Sequence, residues 1–183
     1  MSEFLAEVLI ESSRLRLRRA TEKDLDFIMA LEYAEDNLPY IVPFDRDFHT
    51  NIVTGGEASM DVIVEEVATG APVGYFLVAG LKTEAREMEW THVIIAKKGM
   101  GYGHEAMQLI KKWCFAVKKF HRAWLDCKDY NERALHLYES EGMVREGLIR
   151  ETIITNGKYE NLVILGMLDR EYEARAAEGK EIS

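Results

Sequence analysis

"AKKGMGYGHEAM", residues 96–107, decides how this chain is read. Gly99, Gly101 and Gly103 remove side chains from alternate positions, which is costly in chain entropy unless the bare backbone has a use. Upstream, "EMEWTHVII" (residues 87–95) reads as a strand. Downstream, Ala106, Leu109, Ile110, Trp113, Val117 and Phe120 fall at the three-to-four spacing of one helix face. A strand, a glycine turn and a helix opening near Tyr102 bring free backbone N–H groups and the positive end of a helix dipole to one spot, which makes a cradle for an anion. The P-loop pattern G-x-x-x-x-G-K-[ST] is absent, and G-x-G-x-G does not meet the dinucleotide fingerprint G-x-G-x-x-G. Taken alone, the glycines fit a tight strand-to-helix connection equally well.

Working outward, "RLRLRRA" (14–20) alternates leucine with arginine in the period of a half-buried strand, and Thr21 with Asp24 resembles a helix-start box. A helix over 22–33 follows. Pro39 and Pro43 mark a long loop through Gly56, with one short helix near 46–52. "SMDVIVEEVATGAPVGYFLVAG" (59–80) gives two strands about Thr69-Gly70, and "RAWLDCK" (122–128) a short one. Asn131 to Glu141 reads as a helix closed by Gly142, and "REGLIRETIITNGKYENLVILGML" (145–168) as a hairpin folded at Asn156-Gly157. This order predicts an α/β domain with a mixed, mostly antiparallel central sheet of about seven strands flanked by helices. One domain spans 1–183, with its core at 14–168 and a charged tail from Asp169 to Ser183, at most a frayed helix.

The chain has 183 residues, 48% of them hydrophobic, enough for one core. With 23 Lys+Arg against 32 Asp+Glu its charge is −9, which disfavours nucleic acid and favours a cationic small molecule or basic peptide. Cys114 and Cys127 show no metal-ligand or disulfide spacing, so no metal is expected. No apolar run approaches membrane-spanning length, and a cytoplasmic protein with no membrane partner is the expectation.

"KGMGYG" (98–103) resembles the Q/R-x-x-G-x-G/A pyrophosphate loop of the GNAT superfamily of N-acetyltransferases, and "NERALHLYESEGM" (131–143) its later N-x-x-A-x-x-x-Y-x-x-x-G-[FM] helix. The closing hairpin is similar to that of the branch holding spermidine acetyltransferases and ribosomal-protein N-terminal acetyltransferases. The resemblance covers about residues 14–168 and departs at Lys98, where the family has Gln or Arg; a lysine meets a phosphate as a point charge without the planar fork.

The resemblance implies acetyl-CoA as co-substrate. Lys98, Gly99, Met100, Gly101, Tyr102, Gly103 and His104 would meet its pyrophosphate, and Val93, Ile94 and Ile95 its acetyl end, with a strand N–H near Val93 to Ile94 polarising the carbonyl. Lys97 also lies within reach, whereas Lys118 and Lys119 read as a solvated helix face. Asn131, Ala134 and Tyr138 share one helix face. The family implies that Asn131 hydrogen-bonds the pantetheine arm or an ordered water, Ala134 leaves room for the thioester and Tyr138 protonates the departing thiolate; Asn131 is also placed to cap its helix.

An amine of pKa about 10.4 is neutral in roughly one molecule in 2,500 at pH 7, so a base helps. The family often has a strand glutamate for this, and Glu87 and Glu89, two apart, rank equally. His92 falls on the opposite face by simple alternation and reads as a strand histidine. Glu35, Asp36, Asp45, Asp47 and Glu57 lie where relatives shape the acceptor pocket. The implied activity is direct acetyl transfer to a primary amine, on a polyamine or a protein or peptide N-terminus; aminoglycosides stay open, as does a non-catalytic acyl-CoA-binding or protein-interaction module. A homodimer through the last hairpin is a further option.

Overall fold

The computed structural model describes residues 6–182. Its strands are β1 (Val8–Glu11), β2 (Leu15–Arg19), β3 (Ser59–Glu66), β4 (Pro72–Ala79), β5 (Glu87–Ile95), β6 (Arg122–Lys128), β7 (Val144–Thr155) and β8 (Lys158–Leu168). Its helices are α1 (Leu25–Glu32), α2 (Arg46–Gly55), α3 (Tyr102–Lys111), α4 (Glu132–Ser140) and α5 (Asp169–Ala177). The eight strands form one sheet in the order β1-β2-β3-β4-β5-β6-β8-β7, antiparallel throughout except that β5 runs parallel to β6. The expected count of about seven is one short. β1 has four residues, none of them buried, so it carries no clear alternation, and it gains strand identity only by pairing with β2.

Alternating side chains build a core on each face. Val62, Val64, Phe76, Val78, Met88 and Trp90 pack with α3 and α4, while Ile63, Tyr75 and Leu77 pack with Ile28, Leu31 and Ile52 of α1 and α2. The arginines that alternate with Leu15 and Leu17 are used as well. Arg18 clamps Asp24 at 2.8 and 2.9 Å and also donates to Glu65, so burial and ion pairing fix one strand together. Asp24 in turn receives the N–H and hydroxyl of Thr21, closing the capping box ahead of α1.

Two expectations change in detail. The helix from the glycine turn is α-helical only to Lys111 and continues as a π-helical turn over Lys112–Val117. The charged tail is docked: Tyr172 of α5 stacks on Phe115 with ring centroids 5.2 Å apart, and Glu181 reaches the buried Lys111. The docking of the tail depends on contacts distant in sequence, which local periodicity does not carry.

Candidate active site

β5 and β6 pair over only three positions, Glu87↔Arg122, Met88↔Ala123 and Glu89↔Trp124, and then part. From Trp90 to Ile95, β5 has a strand neighbour on one side only, so alternate N–H groups point into the gap. A cavity of about 1000 Å³ occupies it, lined by both strands, the glycine turn, α4 and the loop from Asp36 to Phe44.

β5 also carries a bulge. Against β4, Leu77 pairs with His92 but Val78 with Trp90, leaving Thr91 over. Before the bulge Met88 and Trp90 face the α3 core; after it Val93 and Ile95 do, and Ile94 joins the opposite core. His92 therefore shares a face with Glu89, and both line the cavity. Simple alternation had put them on opposite faces, because an inserted residue reverses parity and leaves no mark in composition.

At the glycine turn, Gly99 and Gly101 have φ of +80° and +74°, a conformation that L side chains resist. Gly103 has neither a positive φ nor a close neighbour, since an added Cβ would meet only Leu137 at 3.5 Å. The first helical bond runs from the Glu105 N–H to the Gly101 carbonyl, so the N–H groups of Tyr102, Gly103 and His104 have no acceptor within the helix. Ion pairs hold the turn in place. Arg14 binds Glu105 and donates to the Met100 carbonyl, and Glu66 accepts from Lys97 at 2.5 Å and the Tyr102 hydroxyl at 2.8 Å, which draws its pKa down to about 2. Lys98 reaches Asp36 at 3.4 Å across the cavity mouth. Of the turn residues named above, Met100 alone does not line the cavity.

Asn131, Ala134 and Tyr138 all face the cavity. Asn131 caps α4, its Oδ1 accepting the Ala134 N–H at 3.2 Å. Tyr138 is 6% exposed, and burial, then the neighbouring Cys127 and Asp126, push its phenol well above the usual value. The phenol holds its proton.

The two glutamates separate. Glu87 accepts from Arg122 Nε at 3.0 Å outside the cavity, while the other guanidinium nitrogens of Arg122 grip Glu146 at 2.6 and 2.5 Å. Glu89 lies in the cavity, its pKa raised chiefly by burial and further by the charges of Asp126 and Glu87, against a hydrogen bond from Thr91. Asp126, which sequence reasoning passed over, faces the same cavity from β6 and is likewise raised by burial. Its position between buried Leu125 and Cys127 in "RAWLDCK" was the available signal. Of the five acidic residues expected at the acceptor pocket, only one lines the cavity. Asp36 lines the cavity, but Asp45 caps α2 and Glu57 binds Lys82.

Among the described residues no cluster of three or more His, Cys, Asp or Glu side chains could hold a metal ion, and no helix is long and apolar enough to cross a membrane.

The spermidine N(1)-acetyltransferase of Vibrio cholerae serotype O1 is 23% identical over 178 residues, covering 90% of this chain and 99% of that protein. The probable N-acetyltransferase YjcK of Bacillus subtilis is 25% identical over 135 residues, 70% of this chain and 66% of that one. Among solved structures, spermidine N-acetyltransferase from Vibrio cholerae in complex with CoA and spermine superposes with a TM-score of 0.78 at 25% identity, covering 88% of this chain and 99% of that one. A GCN5-related N-acetyltransferase from Brucella melitensis gives 0.75 at 18% identity, over 93% and 82% of the chains, a likeness of fold. The family model described as acetyltransferase (GNAT) domain matches residues 14–144, so the split sheet, the glycine turn and α4 are those of a GNAT acetyltransferase, the family to which this chain belongs.

Proposed function

We propose that the protein moves an acetyl group from acetyl-CoA directly to a primary amine, with a polyamine or a peptide N-terminus as acceptor, while both substrates are bound. One observation carries the reading. A single cavity joins the open N–H groups of the α3 N-terminus, the protonated phenol of Tyr138 and the paired carboxyls of Glu89 and Asp126.

The residues fit such a substrate. The N–H groups of Tyr102, Gly103 and His104 suit a pyrophosphate, and Gly103, which neither dihedral angle nor packing requires to be glycine, leaves backbone open to close approach. Lys97 and Lys98 flank the turn, although Lys97 is already engaged by Glu66. Alternate β5 N–H groups near Val93 and Ile94 open onto the gap and suit a thioester carbonyl as it gains negative charge. Ala134 keeps the wall of α4 low, and Tyr138 gives its proton to the departing sulfur. Glu89 and Asp126 attract an ammonium group on the other side of the gap, and the spermidine acetyltransferases among the relatives favour a polyamine.

Calorimetric titration with acetyl-CoA, followed by free-thiol release against spermidine, N-terminal peptides, lysine peptides and aminoglycosides, tests this reading. Micromolar binding with turnover of one amine supports it and names the acceptor class. Binding without turnover favours the non-catalytic alternative, and no binding overturns the reading of the glycine turn.

A further inference from the structure

Behind the acceptor side of the cavity lies a buried polar cluster that the reaction as described does not use. Glu32, the last residue of α1, is fully buried. Its Oε1 lies 2.6 Å from His92 Nδ1 and accepts the Tyr75 hydroxyl, and its Oε2 accepts the Phe44 N–H at 2.9 Å. His49 Nε2 stands 3.8 Å from the same Oε1, while His49 Nδ1 bonds Asp61 Oδ2 at 2.8 Å. Burying carboxylates among imidazoles and a phenol costs desolvation energy, and apolar side chains of like volume often serve stability as well. The arrangement calls for a reason beyond packing.

His92 supplies one. The Thr91 bulge turns it onto the cavity face beside Glu89, and the Phe44 ring, 5.2 Å away, covers its side. A carboxylate accepts, so the His92–Glu32 contact places the ring proton on Nδ1 and leaves the lone pair on Nε2, which has no protein partner among the described residues. Glu32 and Tyr75 stand behind this imidazole, with His49 and Asp61 beyond them; Glu89 and Asp126 stand before it. An ammonium drawn in by two carboxyls thus meets a ring nitrogen whose opposite edge is held by the buried Glu32 carboxyl. Imidazole, ordinarily near 6.5, is a closer match to an amine than a carboxylate near 4.

We propose that His92 Nε2 takes the proton from the acceptor amine, with Glu32 as the positioning residue that fixes its tautomer and stabilises the imidazolium. This rests on the acetyl-transfer reading above. The ammonium gives one proton to His92, and the nitrogen lone pair then forms the N–C bond to the acetyl carbon. The C–S bond breaks with its electron pair going to sulfur, which takes a proton from Tyr138. The nitrogen's second proton restores Tyr138, and His92 releases the first to water. Ammonium and acetyl thioester thus become amide, thiol and one proton. Glu89 and Asp126 hold the ammonium until it gives up that first proton.

Two measurements test the assignment. Nitrogen-15 spectra of histidine-labelled wild-type protein, with the His92 signals identified by their loss in His92→Gln, should show the Nδ1–H tautomer at neutral pH. For whichever amine the wild type acetylates, His92→Gln should lower kcat about 100- to 1,000-fold and abolish the acid limb of the activity–pH profile, with acetyl-CoA binding unchanged. Glu32→Gln should move that limb to lower pH. A proton on Nε2, or a wild-type profile in His92→Gln, overturns the assignment even if Glu32→Gln fails to fold. Failure of the acetyl-transfer reading looks different: the wild type itself then releases no thiol with any amine, and the assignment falls with it.

Discussion

Lys111 Nζ, fully buried in α3, lies 2.9 Å from Glu141 Oε2 just beyond α4, and the other oxygen of that carboxylate is 2.8 Å from His104 Nδ1 at the glycine turn. Glu181 completes the cluster, contacting Lys111 at 2.7 Å and Arg175 at 2.6 Å. The two motif-bearing helices are thus tied together, and to the C-terminal segment, by one buried cation. Lys111→Met leaves two buried carboxylates without it and should destabilise the fold by about 3–5 kcal/mol, read from urea unfolding midpoints.

The three glycines should respond differently. Gly101→Ala places a side chain at φ +74° and should cost about 1–2 kcal/mol of stability. Gly103→Ala meets only an ordinary contact with Leu137 and replaces a poor helix former, so stability should hold or rise by up to about 1 kcal/mol. Acetyl-CoA binding by Gly103→Ala should nevertheless weaken at least tenfold, about 1.4 kcal/mol in calorimetry. Unchanged binding would show that the first turn of α3 does not meet the substrate.

Tyr138→Phe removes a hydroxyl that no protein group binds among the described residues. Melting temperature and acetyl-CoA affinity should stay as they are. Thiol release should fall by roughly 100- to 10,000-fold, the usual contribution of a placed general acid. A small change would assign the proton to another donor.

The glutamates offer a paired comparison. Glu89→Gln should raise KM for the amine, because a cavity carboxyl is lost, whereas Glu87→Gln should leave KM alone and shift stability by no more than about 1 kcal/mol through its half-exposed pair with Arg122. Equal KM effects would rule out the separation seen here.

Asp126 predicts a pH dependence of opposite sign to an ordinary ion pair. Burial raises its pKa in the fold, so the folded protein binds this proton more tightly than the unfolded chain and loses stability as pH rises through the folded value. Asp126→Asn should therefore stabilise at pH 7, with the gain vanishing as pH falls to the ordinary carboxylate range near 4. Denaturant midpoints at the two pH values decide it. Asp24, lowered by its Arg18 pair against the cost of burial, runs the other way: its contribution is full above the ordinary value and is lost as pH falls through the folded one.

What the chain states locally was legible. Asn156-Gly157 marks its hairpin, Gly142 at φ +90° closes α4, and Asn131 heads that helix as its cap, since dihedral freedom and capping are settled within a few residues. The spacing of Asn131, Ala134 and Tyr138 puts them on one helix face, and in the structure that face and the glycine turn line the same cavity.

Tertiary structure alone decided which acidic and imidazole groups face the cavity. Glu87 and Glu89 are equivalent in a strand pattern; Arg122, 35 positions away, takes one of them out of the cavity. The bulge at Thr91 exists only against β4, yet it turns His92 towards Glu89 and Glu32. Asp126 meets them because β5 and β6 separate just beyond Glu89. The sequence determined most of the strands, turns and helices between residues 14 and 168, because those choices rest on neighbouring residues, whereas β1 and the docked tail needed partners distant in sequence. Which charges are paired and which face the gap was decided by register and burial between distant segments, where the electrostatic balance of each group is set.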